Sequence, residues 1–254
     1  MKNQRQKEIV RLLCENRILK ANVLAQRFHV SMETIRRDFE YLEKKGYLTR
    51  TYGGAVAKSM RGSEPKYLSR IAEHSKEKQA IGRCAAQLIE EGDALIIDSG
   101  TTTLALARQL SNIQNLTVFT NSVPIATELI KNPGIKVILL GGNLRNGELS
   151  TSGFLAENSI KLFHADKAFL GAGGVTLAYG IGDYHVEEAN LKRHYAEHAQ
   201  KVILLADHSK FGVIALNHIC SCTKIDIIVT DSNVDEKLAS ELKRKGPQII
   251  TAAL

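Results

Sequence analysis

The run Asp98-Ser99-Gly100-Thr101-Thr102-Thr103 has the residue types of a phosphate-binding turn. It closes the apolar stretch 94–98 and precedes a pattern typical of a helix. Glycine permits a tight turn, hydroxyl groups donate hydrogen bonds, and the free N–H groups at a helix N-terminus attract an anion. The run is neither a Walker A loop nor a dinucleotide-binding glycine motif. We therefore expect a phosphate cradle here, with a plain strand-to-helix turn as the alternative explanation.

Residues that can bind a polar ligand, through polar or charged side chains or through the backbone N–H groups of glycine, also stand at the ends of three later apolar stretches. They are Thr120, Asn121 and Ser122 for stretch 116–120, Gly141, Gly142 and Arg145 for stretch 136–140, and Asp207 and Lys210 for stretch 201–206. Hydroxyl, amide and carboxylate groups hydrogen-bond to polar ligands, and the two cations would balance a negative charge. These residues are candidates for the same binding site.

Two helical patterns place functional residue types four positions apart. Glu188 and Lys192 are either part of a binding site or a surface ion pair worth about 0.3–0.5 kcal/mol. His194 and His198 have a spacing that can hold a metal ion, but the H-E-x-x-H motif is absent and a solvated helix face explains them more simply. We therefore expect no metal ion and no cofactor.

The elements that must position these residues alternate between strands and helices. Apolar stretches recur at 94–98, 116–120, 136–140, 167–171, 201–206 and 226–230, and helical patterns lie between most of them. Continuously apolar strands that alternate with helices indicate a parallel sheet covered on both faces. In such folds ligands bind beyond the carboxyl ends of the strands. The second half of the chain is therefore predicted to be a Rossmann-like α/β domain.

The first 57 residues show a different pattern, with three short amphipathic helices. Their apolar faces are Ile9, Leu12 and Leu13 in helix 2–15, Val23, Leu24 and Phe28 in helix 20–28, and Ile35, Phe39 and Leu42 in a third helix that Ser31 caps. The apolar face of the third helix would pack on the first two helices.

The third helix turns a polar and basic face outward. At about 100° per residue, Glu33, Arg37, Tyr41 and Lys44 point away from the apolar face, and Thr34 and Arg36 lie on its flanks. Such a helix suits the DNA major groove, since arginine pairs bidentately with guanine and also clamps phosphate groups. The pattern leaves open which of the two arginines reads a base. Asp38 falls near the core edge, where we expect it to hold an arginine or cap a backbone group.

A hairpin is predicted directly after this helix. The stretch 47–57 alternates in polarity and is expected to turn at Gly53 and Gly54. Glycine at the tip would let the backbone approach a sugar-phosphate chain, while Arg50 adds a cation and Tyr52 an aromatic ring. Three helices followed by such a hairpin indicate a winged helix-turn-helix that binds DNA. The alternative is a helical cap whose charges are only solvated.

The charge distribution supports this division of the chain. Residues 1–60 carry a net charge of +7 and residues 61–254 a net charge of 0. A basic module joined to a neutral one favours a polyanion-binding head, although a basic patch kept for solubility has the same signature. The polar stretch 58–74 is predicted to be a linker.

Composition excludes several classes of protein. The 254 residues contain no apolar run long enough for a transmembrane helix, and the charged N-terminus lacks the features of a signal peptide, so we expect a cytoplasmic protein. Four scattered cysteines argue against a disulfide scaffold. Cys220 and Cys222 form a single pair, which is too few ligands for zinc.

The first module resembles the N-terminal domain of the DeoR/GlpR family of bacterial transcription regulators. The family's signature is a serine, then T-I-R-R-D, L-E-x-x-G, an arginine and G-G-A. The matching residues are Ser31, Thr34, Ile35, Arg36, Arg37, Asp38, Leu42, Glu43, Gly46, Arg50, Gly53, Gly54 and Ala55. Tyr52 departs from the pattern, because many members carry histidine there.

The second module resembles the sensor domain of the same family, which is similar in fold to ribose-5-phosphate isomerase and glucosamine-6-phosphate deaminase. The matching pieces are D-S-G-T-T-T, T-N-S, G-G with Arg145, A-D-K-A-F-L-G-A-G-G-V, E-E-A-N-L-K-R and D-H-S-K-F-G. The resemblance implies a phosphosugar pocket in which residues 99–103 cradle the phosphate. It further implies that Asp98, Asn121, Asp166, Glu188 and Asp207 contact hydroxyl groups and that Arg145, Lys192 and Lys210 balance charge. The stretch around Asp183 departs from the commoner pattern and leaves open which end of the sugar the pocket fits.

Together these observations favour a DNA-binding repressor of a sugar-metabolism operon that a phosphorylated sugar releases from its operator. The expected organisation is a DNA-binding domain at 1–57, a linker at 58–74 and an effector-binding and oligomerisation domain at 75–254, with the chain acting as a homo-oligomer. Two alternatives remain. One is a phosphosugar isomerase or deaminase that uses Glu188 or Asp183 as its base. The other is a DNA-binding protein whose second half only oligomerises.

Overall fold

The computed structural model describes residues 2–16, 18–44, 48–57 and 67–254. The N-terminal module comprises α1 (Lys2–Asn16), β1 (Ile18–Lys20), α2 (Ala21–Arg27), α3 (Met32–Lys44), β2 (Leu48–Thr51) and β3 (Gly54–Ala57). This order is that of a winged helix-turn-helix, so the predicted fold of the first module is confirmed. Gly46 of the sequence signature and residues 58–66 of the predicted linker lie outside the described residues.

The three helices share one small hydrophobic core. Ile35, Phe39 and Leu42 of α3 are buried in it, as predicted. The prediction for α2 was wrong at Val23, which is 53% exposed. Ala21 and Ala25 are buried with Leu24 instead, because these positions share one face of the helix.

Asp38 ties the first helix to the third. Its carboxylate accepts hydrogen bonds from Arg5 Nε at 2.6 Å and from Gln6 Nε2 at 2.8 Å, and the side chain is 1% exposed. The expectation that Asp38 holds an arginine is confirmed. Because both partners lie on α1, this contact fixes the orientation of α3 in the module.

The hairpin differs from its prediction in two ways. Strand β1, which we did not predict, pairs with β3 to give the sheet order β1-β3-β2. The turn falls at Tyr52 and Gly53, and Gly53 has φ +80°, which favours glycine. Gly54 opens β3 and is buried, and a Cβ there would lie 2.2 Å from the carbonyl oxygen of Leu19. Gly54 therefore serves the approach of β1 to β3 and not the tip of the hairpin.

The second module alternates between strands and helices. Its first part comprises α4 (Tyr67–Ala72), α5 (Ser75–Ala86), β4 (Ala94–Ile97), α6 (Thr101–Ala107), β5 (Leu116–Thr120), α7 (Val123–Leu129), β6 (Ile135–Leu139), β7 (Asn143–Arg145), β8 (Ser150–Ser152) and α8 (Phe154–Ile160). Its second part comprises β9 (Ala165–Gly171), β10 (Gly174–Thr176), β11 (Gly180–Asp183), α9 (Val186–Glu197), β12 (Ala199–Leu205), β13 (Asn217–Cys220), β14 (Ile227–Asp231), α10 (Glu236–Lys243) and β15 (Gln248–Ala252).

Seven of these strands form one parallel sheet in the order β15-β14-β12-β9-β4-β5-β6. Helices α5, α6 and α7 cover one face, where Leu95 and Ile97 point. Helices α8, α9 and α10 cover the other face, where Ile96 points. Successive side chains of a strand point to opposite faces, so both sides of the sheet are buried. The predicted doubly covered parallel sheet is confirmed, with β15 as a seventh strand that we did not predict.

The predicted linker is partly wrong. Helix α4 lies within the stretch 58–74, and Tyr67 is only 3% exposed because it packs with the first-face core. Two smaller sheets complete the fold, β7-β8 and β10-β11-β13. Among the described residues, none of the helices has the length and apolar character needed to cross a membrane.

Candidate functional site

A cleft opens at the carboxyl ends of β4, β9 and β12. It is lined by Tyr67, Arg70, Glu73, His74, Lys78, Ser99, Gly100, Thr101, Thr102, Arg145, Glu148, Gly171, Ala172, Gly173, Asp183, Tyr184, Glu188, Lys192, Leu205, Asp207, Ser209 and Lys210. The predicted binding residues among them are Ser99, Gly100, Thr101, Thr102, Arg145, Asp183, Glu188, Lys192, Asp207 and Lys210. The parallel sheet brings these residues together because the carboxyl ends of its strands lie along one edge.

Glu188 on α9 organises one wall of the cleft. Its Oε1 accepts hydrogen bonds from Arg145 Nη1 at 3.0 Å and Ser150 Oγ at 2.6 Å. Its Oε2 accepts from Ser99 Oγ at 3.0 Å and Asn121 Nδ2 at 3.3 Å. Glu188 is 3% exposed, so the alternative of a surface ion pair with Lys192 was wrong. The four donors fix the carboxylate and use its acceptor positions.

Lys192, one turn further along α9, is a buried cation with three partners. Its ammonium lies 2.8 Å from Asp98 Oδ2 and 2.5 Å from Asp183 Oδ2, and it donates to the carbonyl oxygen of Gly171 at 3.1 Å. Burial opposes the charged form, but the carboxylates of Asp183 and Asp98 raise the pKa of Lys192 above its usual value. Lys192 therefore stays charged and joins the ends of β4, β9 and β11.

Asp98 has a less favourable environment than Asp183. Burial raises the pKa of Asp98 to about 7, and Lys192 offsets only part of this effect. Its Oδ1 is buried with no hydrogen-bond partner in the described part of the chain. For Asp183, burial is outweighed by Lys192, which lowers the pKa of that carboxyl. Asp98 is not in the cleft lining and lies directly behind it.

The predicted phosphate cradle has the expected local structure. Gly100 precedes α6, and Ser99, Thr101 and Thr102 reach the cleft. Thr103 does not, because its Oγ1 donates to the carbonyl oxygen of Gly100 at 3.0 Å and the residue is fully buried. Thr101 and Thr102 can thus offer hydroxyl donors, and residues 100–102 N–H donors, to an anion in the cleft. Ser99 already donates its hydroxyl to Glu188 and its N–H to Asn121 Oδ1 at 3.2 Å.

Asp166 does not belong to the site, and its assignment as a hydroxyl ligand was wrong. It is the second residue of β9, and its Oδ2 accepts a hydrogen bond from the backbone N–H of Ala94 at 2.8 Å. Ala94 is the first residue of β4, so Asp166 lies at the amino ends of the strands, at the end of the sheet opposite the cleft.

Other predicted residues lie outside the cleft lining. Thr120, Asn121 and Ser122 are buried: Asn121 supports Glu188, Thr120 Oγ1 accepts from the N–H of Ser122, and Ser122 caps α7 at Ile125. Gly141 and Gly142 are also absent from the lining, and a Cβ at Gly142 would lie 2.4 Å from the carbonyl oxygen of Ser152. These residues shape the region around the cleft.

Sequence reasoning missed the wall formed by α4 and the start of α5. Arg70 forms an ion pair with Glu148, and Lys78 donates to the carbonyl oxygens of Arg70 and Glu73. Burial lowers the pKa of Lys78. The stretch carries no periodic signal, and only its cations and His74 could have marked it as functional. Across the cleft, the side-chain ammonium of Lys210 makes no hydrogen bond or ion pair with any residue that the structure describes.

The predicted DNA-binding residues form an exposed surface on α3 and the hairpin. Exposed members are Ser31, Glu33, Arg36, Arg37, Tyr41, Lys44, Arg50, Tyr52 and Gly53, while Thr34 is half-buried and Gly54 is buried. Ser31 caps α3 by accepting from the N–H of Thr34 at 3.2 Å.

Carboxylates hold three of the cations on this surface. Arg37 lies 3.4 Å from Glu33, Lys44 3.0 Å from Glu40 and Arg50 2.7 Å from Glu43. Arg36 has no such partner in the ranges described. It is therefore the cation of α3 most available to a nucleic acid.

Comparison with known proteins identifies both modules. Residues 5–61 match the DeoR-like helix-turn-helix domain, and residues 73–232 match the DeoR C-terminal sensor domain. The chain is 35% identical to the HTH-type transcriptional regulator GolR of Listeria innocua over 96% of both chains. It is 33% identical to the glycerol-3-phosphate regulon repressor of Escherichia coli strain K12 over 90% of each chain.

A further relative and a solved structure were also found. The chain is 31% identical to a putative aga operon transcriptional repressor of Escherichia coli O157:H7, over 98% of this chain and 93% of the relative. A D-ribose-5-phosphate isomerase in complex with phospho-erythronic acid aligns with a TM-score of 0.41 at 16% identity, covering 54% of each chain. From the two domain matches and these full-length relatives, the chain belongs to the DeoR family and is a DNA-binding transcriptional regulator.

Proposed function

We propose that this regulator represses a sugar-metabolism operon and that a phosphorylated sugar in the cleft releases it from its operator. The observation that carries the proposal is the composition of the cleft, where the hydroxyl-bearing turn at residues 99–102 shares one space with cations and carboxylates. A sugar phosphate needs both kinds of group, because its phosphate requires donors and cations while its hydroxyls require acceptors.

The phosphate end is assigned to the turn before α6. Thr101 and Thr102 supply hydroxyl groups there, and Lys210 supplies an ammonium group that forms no ion pair with a described carboxylate. The carboxylate of Asp183 lines the same cleft and would accept hydrogen bonds from the sugar. Glu188 and Lys192 are saturated by protein partners, so their role is to hold the walls in place.

Helix α4 offers a route from the cleft to the DNA-binding module. It follows that module in the chain, and Tyr67 and Arg70 line the cleft. An effector that contacts this helix in only one of two arrangements would change operator affinity, since coupling requires differential binding to two states. Two of the relatives, a regulon repressor and an operon repressor, favour repression over activation.

The assembly is proposed to be a homo-oligomer acting in the cytoplasm. Helix-turn-helix proteins bind paired half-sites as dimers, because the distance between the two recognition helices then matches the distance between the two half-sites of the operator. Sedimentation with and without operator DNA tests this part independently of the effector.

The central experiment is a thermal-shift screen against a panel of phosphosugars, followed by operator titration with and without the hit. A true effector at 100 times its Kd would stabilise the protein by about 2.7 kcal/mol and weaken operator binding.

Lys210→Ala should weaken effector binding about tenfold or more, because a hydrogen bond to a charged group contributes about 1.5–3 kcal/mol. Lys201→Ala, at an exposed position of β12, is the matched control and should change nothing.

The two alternatives give different results. Turnover of ribose 5-phosphate or glucosamine 6-phosphate that is lost in Glu188→Gln would favour an enzyme, although the four donors on Glu188 leave it poorly placed as a base. No stabilisation by any phosphosugar would favour a sensor module that only oligomerises.

A further inference from the structure

One group of side chains at the cleft has the composition of a metal site. The ligand atoms of His74, Asp207 and His208 lie within 4.8 Å of one another. We propose that these three residues bind a divalent transition-metal ion of the zinc type. The proposal does not depend on the proposed function, because metal binding is measured on the protein without DNA or sugar.

Asp207 presents a free carboxylate oxygen. Its Oδ1 accepts hydrogen bonds from the backbone N–H of Ser209 at 3.0 Å and from Ser209 Oγ at 2.5 Å. Its Oδ2 is buried and has no hydrogen-bond partner in the described ranges, and the residue is 1% exposed. A buried acceptor without a partner is costly, so a cation at Oδ2 would remove a real penalty.

His208 is held in the orientation of a metal ligand. Its Nδ1 lies 3.0 Å from Asp231 Oδ1, and Asp231 is fully buried. The other oxygen of Asp231 accepts the backbone N–H of His208 at 2.8 Å. Because a carboxylate only accepts, Nδ1 carries a proton, and Nε2 is the ring nitrogen through which the neutral imidazole would bind a metal ion. A carboxylate behind the imidazole is the arrangement that orients histidine ligands of zinc.

His74 completes the group from the opposite wall. Its ring centroid lies 4.8 Å from that of His208, with the rings nearly perpendicular. The residue has φ +51° immediately before α5, a left-handed conformation that costs a non-glycine residue free energy. The fold retains this conformation where it places an imidazole at the cleft beside Asp207.

The donor set selects the class of ion. Two imidazoles and one carboxylate suit zinc and its neighbours, whereas magnesium and calcium prefer oxygen ligands. Three protein ligands leave a coordination position open, and it would face the cleft that His74 and Asp207 line.

The local charge tolerates a cation at this place. Lys78 and Lys210 are nearby, but Lys78 is held by two carbonyl oxygens and burial lowers its pKa. Asp207, Asp231, Glu73 and Glu77 provide opposing charge, and Glu77 Oε1 lies 4.0 Å from His74 Nδ1.

The test is competition of the full-length protein with a chromophoric chelator for Zn²⁺, together with the visible absorption of bound Co²⁺. We expect one tight ion per chain and no thiolate-to-cobalt band. His208→Gln and His74→Gly should abolish the tight site, and glycine keeps the positive φ without strain. Asp231→Asn, which alters only the positioning residue, should weaken zinc binding about 10–100-fold.

The matched control is His194→Gln. It removes an imidazole from the second group of potential ligands, His194, Glu197 and His198 on α9. This variant should retain the tight site and the cobalt spectrum of the wild type. Absence of tight zinc binding, a thiolate band, or a tight site that survives His208→Gln and His74→Gly in folded protein would overturn the proposal.

Discussion

At the scale of single residues, the buried carboxylates at the cleft outnumber the cations that pair with them. Three buried carboxylates, Asp98, Asp183 and Glu188, face two cations, Lys192 and Arg145. Buried charges are tolerated only when they are paired and hydrogen-bonded. Lys192 serves two of the carboxylates, so it is the residue whose loss would leave most charge uncompensated.

Lys192→Met should therefore destabilise the protein strongly. It preserves most of the side-chain volume but leaves Asp98 and Asp183 buried without their cation, which typically costs about 3–5 kcal/mol. Urea denaturation followed by circular dichroism measures the change. Lys201→Met, at an exposed lysine of β12, is the control and should stay within about 0.5 kcal/mol of the wild type. A loss below about 1 kcal/mol in Lys192→Met would contradict the account of the network.

The unfolding free energy should also depend on pH through Asp98. Its pKa in the folded protein is raised to about 7 from the ordinary 3.8, so between these values the folded state binds more protons than the unfolded state. The contribution of Asp98 to stability therefore falls as the pH rises from about 4 to about 7. Asp98→Asn should remove this component, as measured by urea denaturation across that range. An unchanged pH dependence in Asp98→Asn would contradict the raised pKa of Asp98. Glu236→Gln, at an exposed carboxyl group of α10, is the control and should keep the pH dependence of the wild type.

At the scale of elements, the wing is set by one close approach between strands. β1 pairs with β3, and Lys20 lies opposite Gly54 in this pairing. The carbonyl oxygen of Leu19 occupies the space that a Cβ of residue 54 would need. Only glycine leaves that space empty, so the signature glycine has a packing reason in addition to any contact with DNA.

Gly54→Ala should separate β1 from β3. Overpacking of this kind costs about 1–3 kcal/mol, and the lost hydrogen bonds should appear as faster amide exchange in β1 and β3. Hydrogen exchange of the full chain measures this, with protection of the seven-stranded sheet as the internal reference. Thr51→Ala, at an exposed position of β2, is the control. Unchanged protection of β3 in Gly54→Ala would show that the strands can move apart freely.

At the scale of the whole molecule, charge and ligand binding are divided between the two modules. The excess of positive charge lies in residues 1–60, while the cleft lies in the module that begins at α4. Affinity for the operator should therefore depend steeply on salt, because bound lysines and arginines release counterions from DNA.

Arg36→Ala should lower the operator affinity and reduce the slope of log K against log salt by about 1, since one phosphate or base contact is lost. Fluorescence anisotropy with labelled operator at several salt concentrations measures both quantities. Lys237→Ala, at an exposed lysine of α10, should leave affinity and slope unchanged. If Arg36→Ala bound as tightly as the wild type, Arg36 would not be a DNA contact of α3.

Much of the fold could be predicted from local patterns. The apolar face of α3, the cap at Ser31 and the six apolar strands follow from periodicity and residue type, which act over a few neighbouring residues. The strands β1 and β15 could not be found in this way. β1 has three residues with one buried, Leu19. β15 is an edge strand in which only Ala252 is buried, so both strands depend on pairing with a partner strand.

The sequence by itself determined the two-module organisation, the parallel sheet and most of the polar residues of the cleft, because hydrophobic periodicity and strand ends are local properties. Only the tertiary structure decided which of these residues meet. Asp166 lies at the amino ends of the strands, at the end of the sheet opposite the cleft. Glu188 and Lys192 do not pair with each other, because each binds other buried partners. Arg70 and His74 lie at the cleft although no pattern in the sequence predicted it. Such encounters join residues far apart in the chain, and their distances are set by packing of the whole domain.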